Sequence, residues 1–382
     1  MTEPASEAPI PVAELVSLGA ARGHREPDAV VLLRFSALGD VLLTSPAVEA
    51  LHQAWPRARI IYAVKERLTH LVAHNPNVSE VMPLAPREGP WSFAKRLREK
   101  LAGQDVVVLD LHAKIRSVLL RSLLPRSWRR VVWTKRERLS TLPVKLALKP
   151  YRASMLFADR YHAAVELAVG RKVPRGSLRA FLGSEDVLHA NELLARARVD
   201  LSRPIVGMSP GANWATKRWP AERYGALARR ALEAGFQVVV QGSGDEKAIA
   251  GEVCALARDV RGPDGVARSA VDLAGQLELP ALCGLVSLCA AFVANDSGPM
   301  HLSRALGVPT LALFGSTDPG MFSWEGHRAM FREGLSCSPC SFFGRSQCPR
   351  GHFRCMTELD PADAWSALEA LLIGGARAPL SA

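Results

Sequence analysis

In both halves of this chain, short apolar runs alternate with stretches of helical period, and this alternation restricts the possible folds more than any other feature. In the first half the apolar runs are Ala29–Phe35, Arg59–Val64, Val78–Leu84, Asp105–Leu111 and Arg130–Trp133. Helical patterns lie between and after them, at Val41–Trp55, Trp91–Ala102, Lys114–Leu124 and Tyr161–Val169. The Asp105–Leu111 run is nearly unbroken in its apolar character, as expected of a parallel strand covered on both faces. The second half repeats the scheme with strands at Pro204–Ser209, Phe236–Gln241, Ala290–Ala294 and Pro309–Phe314. Helices are expected at Pro220–Gly235, Asp245–Ala257, Leu279–Cys289, Leu302–Leu306 and Pro361–Ile373. Pro220 suits a first helical turn, and Gly235 suits a C-terminal cap. Strand–helix alternation of this kind predicts an α/β protein with doubly wound parallel sheets.

A length of 382 residues accommodates two such domains. The expected bounds are 29–185 and 200–382, joined through the Pro-, Gly- and charge-containing segment Val173–Arg203, with one further helix at Glu185–Ala197. Residues 1–28 are expected to be a flexible N-terminal extension, and the basic stretch 134–160 a surface segment. Two Rossmann-like domains would face each other across a cleft, with the ligand-binding loops at the C-terminal ends of the strands.

Net charge is +11 and the isoelectric point about 9.6. Residues 87–152 hold 17 Lys/Arg against 5 Asp/Glu, so this region carries essentially the whole excess. Such a field favours a phosphorylated substrate, an anionic membrane surface or a nucleic acid, with a merely solvated face as the plain alternative. The five aromatic residues of that region and the lack of a nucleic-acid motif count against a basic nucleic-acid-binding module, which a salt-dependent gel shift would detect. No secretory leader pattern and no uncharged apolar run of membrane-spanning length is present, so a cytoplasmic protein is expected.

Four strand-to-helix loops carry candidate chemistry. In Ser36-Ala37-Leu38-Gly39-Asp40, Asp40 can take a proton from an attacking hydroxyl, or simply cap a helix. In Ser209–Pro220, Lys217 can neutralise a phosphate, although the spacing is not that of a Walker loop. Gln241-Gly242-Ser243-Gly244-Asp245-Glu246 has Lys247 where a dinucleotide fingerprint needs glycine, which argues against an NAD site; a carboxylate here can still hold ribose hydroxyls. Asn295-Asp296-Ser297-Gly298-Pro299-Met300-His301 joins a strand to a helix whose free N–H groups attract an anion, or it is an ordinary turn with a capping serine.

Taken in order, Leu38-Gly39-Asp40-Val41, Lys217-Arg218-Trp219-Pro220, Asn295-Asp296-Ser297-Gly298 with His301, and Gly315-Ser316-Thr317-Asp318-Pro319 resemble the ADP-heptose:lipopolysaccharide heptosyltransferases. These are inverting glycosyltransferases of GT-B architecture, and the resemblance spans roughly residues 29–372. It implies Asp40 as general base and Lys217 on the donor diphosphate. Glu246, or less directly Asp245, would lie at the ribose, and Gly211, Asp296, Ser297, Gly298 and His301 around the donor. Arg34, Lys114 and Arg116 are expected on the acceptor side. The implied substrates are ADP-heptose and a phosphorylated lipid A–core acceptor at the inner face of the cytoplasmic membrane, with no metal required for catalysis. Another glycosyltransferase of the same fold, with a different sugar nucleotide or acceptor, is the alternative. Four cysteines, Cys337, Cys340, Cys348 and Cys355, crowd near His352. They can hold a structural zinc, remain buried thiols or form disulfides.

Overall fold

The computed structural model describes residues 14–18, 25–134 and 156–374. Two six-stranded sheets organise them. The first contains β1 (Glu14–Leu18), β2 (Ala29–Leu33), β3 (Arg59–Lys65), β4 (Glu80–Leu84), β5 (Val106–Asp110) and β6 (Arg129–Thr134). Their spatial order is β1-β6-β5-β2-β3-β4, parallel throughout except for β1 against β6. The second half begins with β7 (Ile205–Ser209) and β8 (Gln237–Val240), followed by a small hairpin of β9 (Val260–Arg261) and β10 (Ala267–Arg268). It continues through β11 (Val271–Asp272), β12 (Cys289–Asn295), β13 (Thr310–Phe314) and β14 (Arg328–Phe331). The second sheet is parallel, in the order β11-β8-β7-β12-β13-β14. Strand order reverses between β2 and β5 in one sheet and between β7 and β12 in the other. Ligands bind at such switch points in open α/β sheets.

Strands β2, β5, β7 and β13 are buried at every residue, as two-sided burial requires. Alternate side chains of β2 enter different cores. Ala29, Val31 and Leu33 pack with Phe93, Leu97 and Leu120. Val30 and Leu32 face Val48, Leu51, Tyr161 and Val165. In the second sheet, Val206 and Met208 meet Trp219, Tyr224 and Leu227. Phe292, Ala294 and Phe314 belong to the same cluster as Val30 and Leu32, so one apolar core runs from the first sheet into the second. The helix Asp186–Arg196 contributes Ala190 and Leu194 to it, and the helix Leu279–Leu288 contributes Leu285 and Val286. These two helices touch at Gly284, where an added Cβ would lie 2.0 Å from the Asp186 carbonyl oxygen.

Two sequence expectations change. Glu14–Leu18, within the segment expected to be a flexible extension, pairs with β6 and covers what would otherwise be a sheet edge. The single helix expected over Val41–Trp55 is two, Leu38–Leu42 and Ser45–Ala54. Pro46 has no N–H to continue the ladder, and the Thr44 hydroxyl takes the Val41 carbonyl at 2.7 Å. Within the expected basic surface segment, residues 135–155 lie outside the described residues.

Candidate active site

Asp40 lies just beyond β2, in the helix Leu38–Leu42. Its carboxylate accepts the Ala37 N–H at 3.2 Å, so the plain capping role is fulfilled. It also forms an ion pair with Arg34, whose side chain is 6% exposed while that of Asp40 is 33% exposed. Burial alone would raise the Asp40 pKa. The Arg34 guanidinium, the Ala37 N–H and the neighbouring His301 outweigh burial and hold it below the ordinary value. Arg34 also donates to the Leu111 carbonyl and lies 5.6 Å from the Tyr161 ring centroid. Arg34, expected on the acceptor side, is held by these contacts and positions Asp40.

Across the switch point, β5 ends in Asp110. Its carboxylate accepts the His112 and Ala113 N–H groups at 3.0 and 2.9 Å and pairs with Arg121 at 3.1 Å. This turn holds His112 edge-on to Phe35, with ring centroids 5.2 Å apart. Burial, then the charges of Arg34 and Lys114, push the His112 pKa down to about 3, and its Nδ1 has no partner among the described residues. The sequence reading did not include His112. Lys114 is exposed at the start of the helix Ile115–Ser122, within electrostatic reach of His112. Arg116, expected on the acceptor side, donates to the Glu88 carbonyl.

The second sheet supplies the opposing half. Lys217 Nζ contacts Asp296 Oδ2 at 2.6 Å, and the Thr317 hydroxyl donates to the same oxygen at 2.7 Å. Burial disfavours the Asp296 carboxylate, but Lys217, His301 and these hydrogen bonds keep its pKa low. Asn295 fixes the neighbouring loop by accepting the Trp219 N–H at 3.1 Å and donating to the Pro210 carbonyl at 2.8 Å. Ser297 caps the helix Gly298–Ala305, and its buried hydroxyl has no partner among the described residues. His301 stands edge-on to Phe322 at 4.8 Å. Burial, then Arg304, push its pKa down to about 3, which leaves a neutral ring with an unpartnered Nδ1.

The two halves meet closely here. A Cβ on Gly39 would lie 2.4 Å from His301 Cδ2, and one on Gly298 would lie 3.2 Å from Leu38 Cδ2. Glycine is needed at Gly39 for this approach. Asp40, Asp296 and Lys217 are all electrostatic neighbours of His301 at the domain junction.

The sequence pattern of glycosyltransferase family 9 (heptosyltransferase) matches residues 91–347 of this chain. The chain belongs to that family. Lipopolysaccharide heptosyltransferase 1 of Pseudomonas aeruginosa is 26% identical over 379 residues, covering 90% of this chain and 98% of the relative. The crystal structure of a family 9 glycosyl transferase from Veillonella parvula superposes with a TM-score of 0.73 at 21% identity, covering 91% of this chain and 98% of the other. The structure of Escherichia coli ADP-heptose lps heptosyltransferase II gives 0.68 at 23% identity, covering 91% and 99%. These structures share the GT-B fold of this chain.

The remaining family-implied residues lie at the same strand ends. Gly211 has no room for a side chain, because a Cβ there would be 2.0 Å from Glu246 Oε1. Glu246 is half-buried and accepts the Ser243 N–H at 2.8 Å, while Asp245 is exposed. The cysteine-rich segment leans on the Lys217 loop: the Arg345 N–H donates to Thr216 Oγ1 at 2.8 Å, and Thr216 Oγ1 lies 2.9 Å from Ser316 Oγ. Cys340 and Cys355 are buried, and Cys337 Sγ lies 3.6 Å from His352 Nε2. Burial, then the other three thiols, push the Cys355 pKa up to about 12. No three ligand atoms of this cluster lie within 4.8 Å of one another.

Proposed function

We propose that this glycosyltransferase moves heptose from ADP-heptose to the inner core of lipopolysaccharide, with inversion at the anomeric carbon and without a catalytic metal. One observation supports the reading: Asp40, held below its ordinary pKa on one domain, and Lys217 with Asp296, on the other, are both neighbours of His301 at the junction. The acceptor hydroxyl attacks the anomeric carbon on the side opposite the diphosphate. A carbon–oxygen bond to the acceptor forms as the bond to the phosphate oxygen breaks, and that electron pair leaves with ADP. Asp40 takes the hydroxyl proton. Asp296 fixes Lys217 while leaving two of its N–H groups for phosphate oxygens, and the Ser297 hydroxyl and the first N–H groups of its helix add dipolar stabilisation. Positive charge and oriented N–H groups do the work that a divalent cation does in other sugar-nucleotide sites. Turnover assays with ADP-heptose and a heptose-deficient lipid acceptor test this reading. Asp40→Asn should lose about 10²-fold or more in turnover while binding ADP normally. Near-normal turnover, or a product with retained anomeric configuration, would sink it.

We also propose that the acceptor side rests on the inner face of the cytoplasmic membrane. No helix among the described residues is long and apolar enough to span a membrane. The helices Pro90–Lys100 and Ile115–Ser122 expose Trp91 at 65% and Ile115 at 80%, together with Val118 and Leu119. Exposed Arg87, Arg98, Lys114 and Arg126 flank them. Many other cations of this region are satisfied internally: Arg96 pairs with Glu88 at 2.8 Å, and Arg130 donates to the Leu124 and Pro125 carbonyls. Apolar tips within a basic surround suit an anionic bilayer. Vesicle sedimentation should rise with anionic lipid and fall with salt, and Ile115→Asp with Leu119→Asp should abolish it. Unchanged sedimentation of that variant would reduce the face to a solvated one.

A further inference from the structure

His70, Asp186 and Cys283 come from three elements and belong to no part of the site above. His70 begins the helix His70–Ala73, between β3 and β4 of the first sheet. Asp186 opens the connecting helix Asp186–Arg196, and Cys283 lies in the helix Leu279–Leu288 that precedes β12. His70 Nε2 is 2.9 Å from Asp186 Oδ2, and the imidazole nitrogen, carboxylate oxygen and thiol sulfur all lie within 4.8 Å of one another. We propose that these three side chains bind a divalent transition metal of the zinc class, which ties the first domain to the second through the connecting helix.

Three properties of the cluster support this. The donor set is an imidazole, a carboxylate and a thiol, the types that zinc selects. Bond lengths of about 2.0–2.3 Å around zinc place tetrahedral ligand atoms roughly 3.3–3.8 Å apart, so His70 Nε2 and Asp186 Oδ2, now 2.9 Å apart, would open slightly, and no pair in the cluster, all within 4.8 Å, is far from that spacing. Asp186 is 1% exposed, and among the described residues its only charge partner is His70. A buried carboxylate facing one weakly basic ring is poorly compensated, whereas a dication compensates it fully. The surroundings also orient the ligands. The Gly183 N–H donates to Asp186 Oδ2 at 3.0 Å, an outer hydrogen bond of the kind that sets ligand direction. His74 follows His70 by one turn, with ring centroids 5.0 Å apart. A Cβ on Gly183 would lie 2.7 Å from His74 Nε2 and 3.3 Å from Asp186 Oδ1. His74 lies beside the three, outside the group whose ligand atoms are within 4.8 Å of one another. Binding replaces the Cys283 S–H proton with the metal and releases it to solvent, while His70 takes its Nδ1–H tautomer so that Nε2, now hydrogen-bonded to Asp186, is free to bind the metal.

The cysteine-rich segment is a competing metal binder, so the experiment must separate the two. The full chain, stripped by chelator and dialysed, is titrated with cobalt(II) and followed by absorbance. A thiolate-to-cobalt charge-transfer band should grow with one equivalent bound at this site. Cys283→Ser should lose that equivalent and its share of the band, and Cys340→Ser should keep them. His70→Gln retains a donor to Asp186 and should weaken metal binding by more than the roughly 10–100-fold typical of losing an outer hydrogen bond. Zinc should raise the melting temperature of Cys340→Ser but not of the double variant Cys340→Ser with His70→Gln. Circular dichroism checks that each variant folds; should Cys283→Ser fail to fold, His70→Gln decides. A wild type that binds no cobalt, or Cys283→Ser and His70→Gln proteins with wild-type spectra and stoichiometry, would overturn the assignment.

Discussion

Replacing Arg34 by Gln would test the active-site electrostatics most directly. The Arg34 side chain is almost fully buried, and it pairs with a carboxylate that remains one-third open to solvent. Two unit charges about 4 Å apart at an effective dielectric near 20 interact by about 4 kcal/mol. Fully exposed pairs are worth only about 0–1 kcal/mol. An intermediate value of about 1.5 kcal/mol fits a pair open on one side and corresponds to about one pKa unit. In the wild type the folded pKa of Asp40 lies below its unfolded value. The pair therefore stabilises the fold above the unfolded pKa, and that contribution disappears as pH falls through the folded pKa. In Arg34→Gln, burial pushes the Asp40 pKa upward with less opposition. The acid limb of kcat/KM should move up by about one unit, and stability at neutral pH should fall by about 1.5 kcal/mol, a difference that narrows on acidification. Profiles of kcat/KM over roughly pH 4–8, with denaturant melts at both ends, measure both effects. Arg34→Lys keeps the charge but loses the planar fork, and should fall between the two. An acid limb that stays in place while activity drops uniformly would refute the electrostatic argument and leave Arg34 only an orienting role.

Gly39→Ala should lower stability by about 1–2 kcal/mol, because the clash with His301 exceeds the helix-propensity gain; a melt at or above that of the wild type would contradict the close approach. Pairing it with His301→Ala should recover part of the loss. Lys217→Met should weaken ADP binding by about tenfold or more, the scale of one charge-assisted hydrogen bond, and unchanged affinity by calorimetry would remove Lys217 from the diphosphate site. If the cysteine-rich cluster draws together around a structural zinc, a chelator should lower the melting temperature of the wild type by more than that of Cys340→Ser; equal lowering of the two would leave buried thiols.

The strands were legible in the sequence because two-sided burial leaves a local trace, the unbroken apolar runs of β2, β5, β7 and β13. Asp40, Lys217, Asp296 and His301 were legible for a related reason: each follows a strand and lies in or just before a helix. What the sequence hid was non-local. His112 follows β5, and nothing nearby in the chain reveals that β5 lies beside β2 and so brings His112 toward Arg34. Arg34 was expected on the acceptor side, and nothing local showed its pairing, because the carboxylate it pairs with is six residues away, across a turn. Arg116 was similarly claimed by a carbonyl 28 residues upstream. Short edge strands such as β11 and β14 have too few residues to show a period and exist by pairing with strands already in place.

The apolar core shared by both sheets also limits how such proteins can be recombined. A chimera cut within the connecting segment, with a new acceptor half grafted onto this donor half, would place foreign residues against Phe314 and Phe322, where Phe157 now stacks at 6.0 Å. It would also have to preserve the backbone bond from the Ala180 N–H to the Ala305 carbonyl. The workable units of exchange are therefore not the two halves of the chain. A graft that keeps Leu38, Gly39, Phe157 and the helix Asp186–Arg196 with the second sheet respects the real boundary, and the outer helices that meet the acceptor are the parts free to be traded.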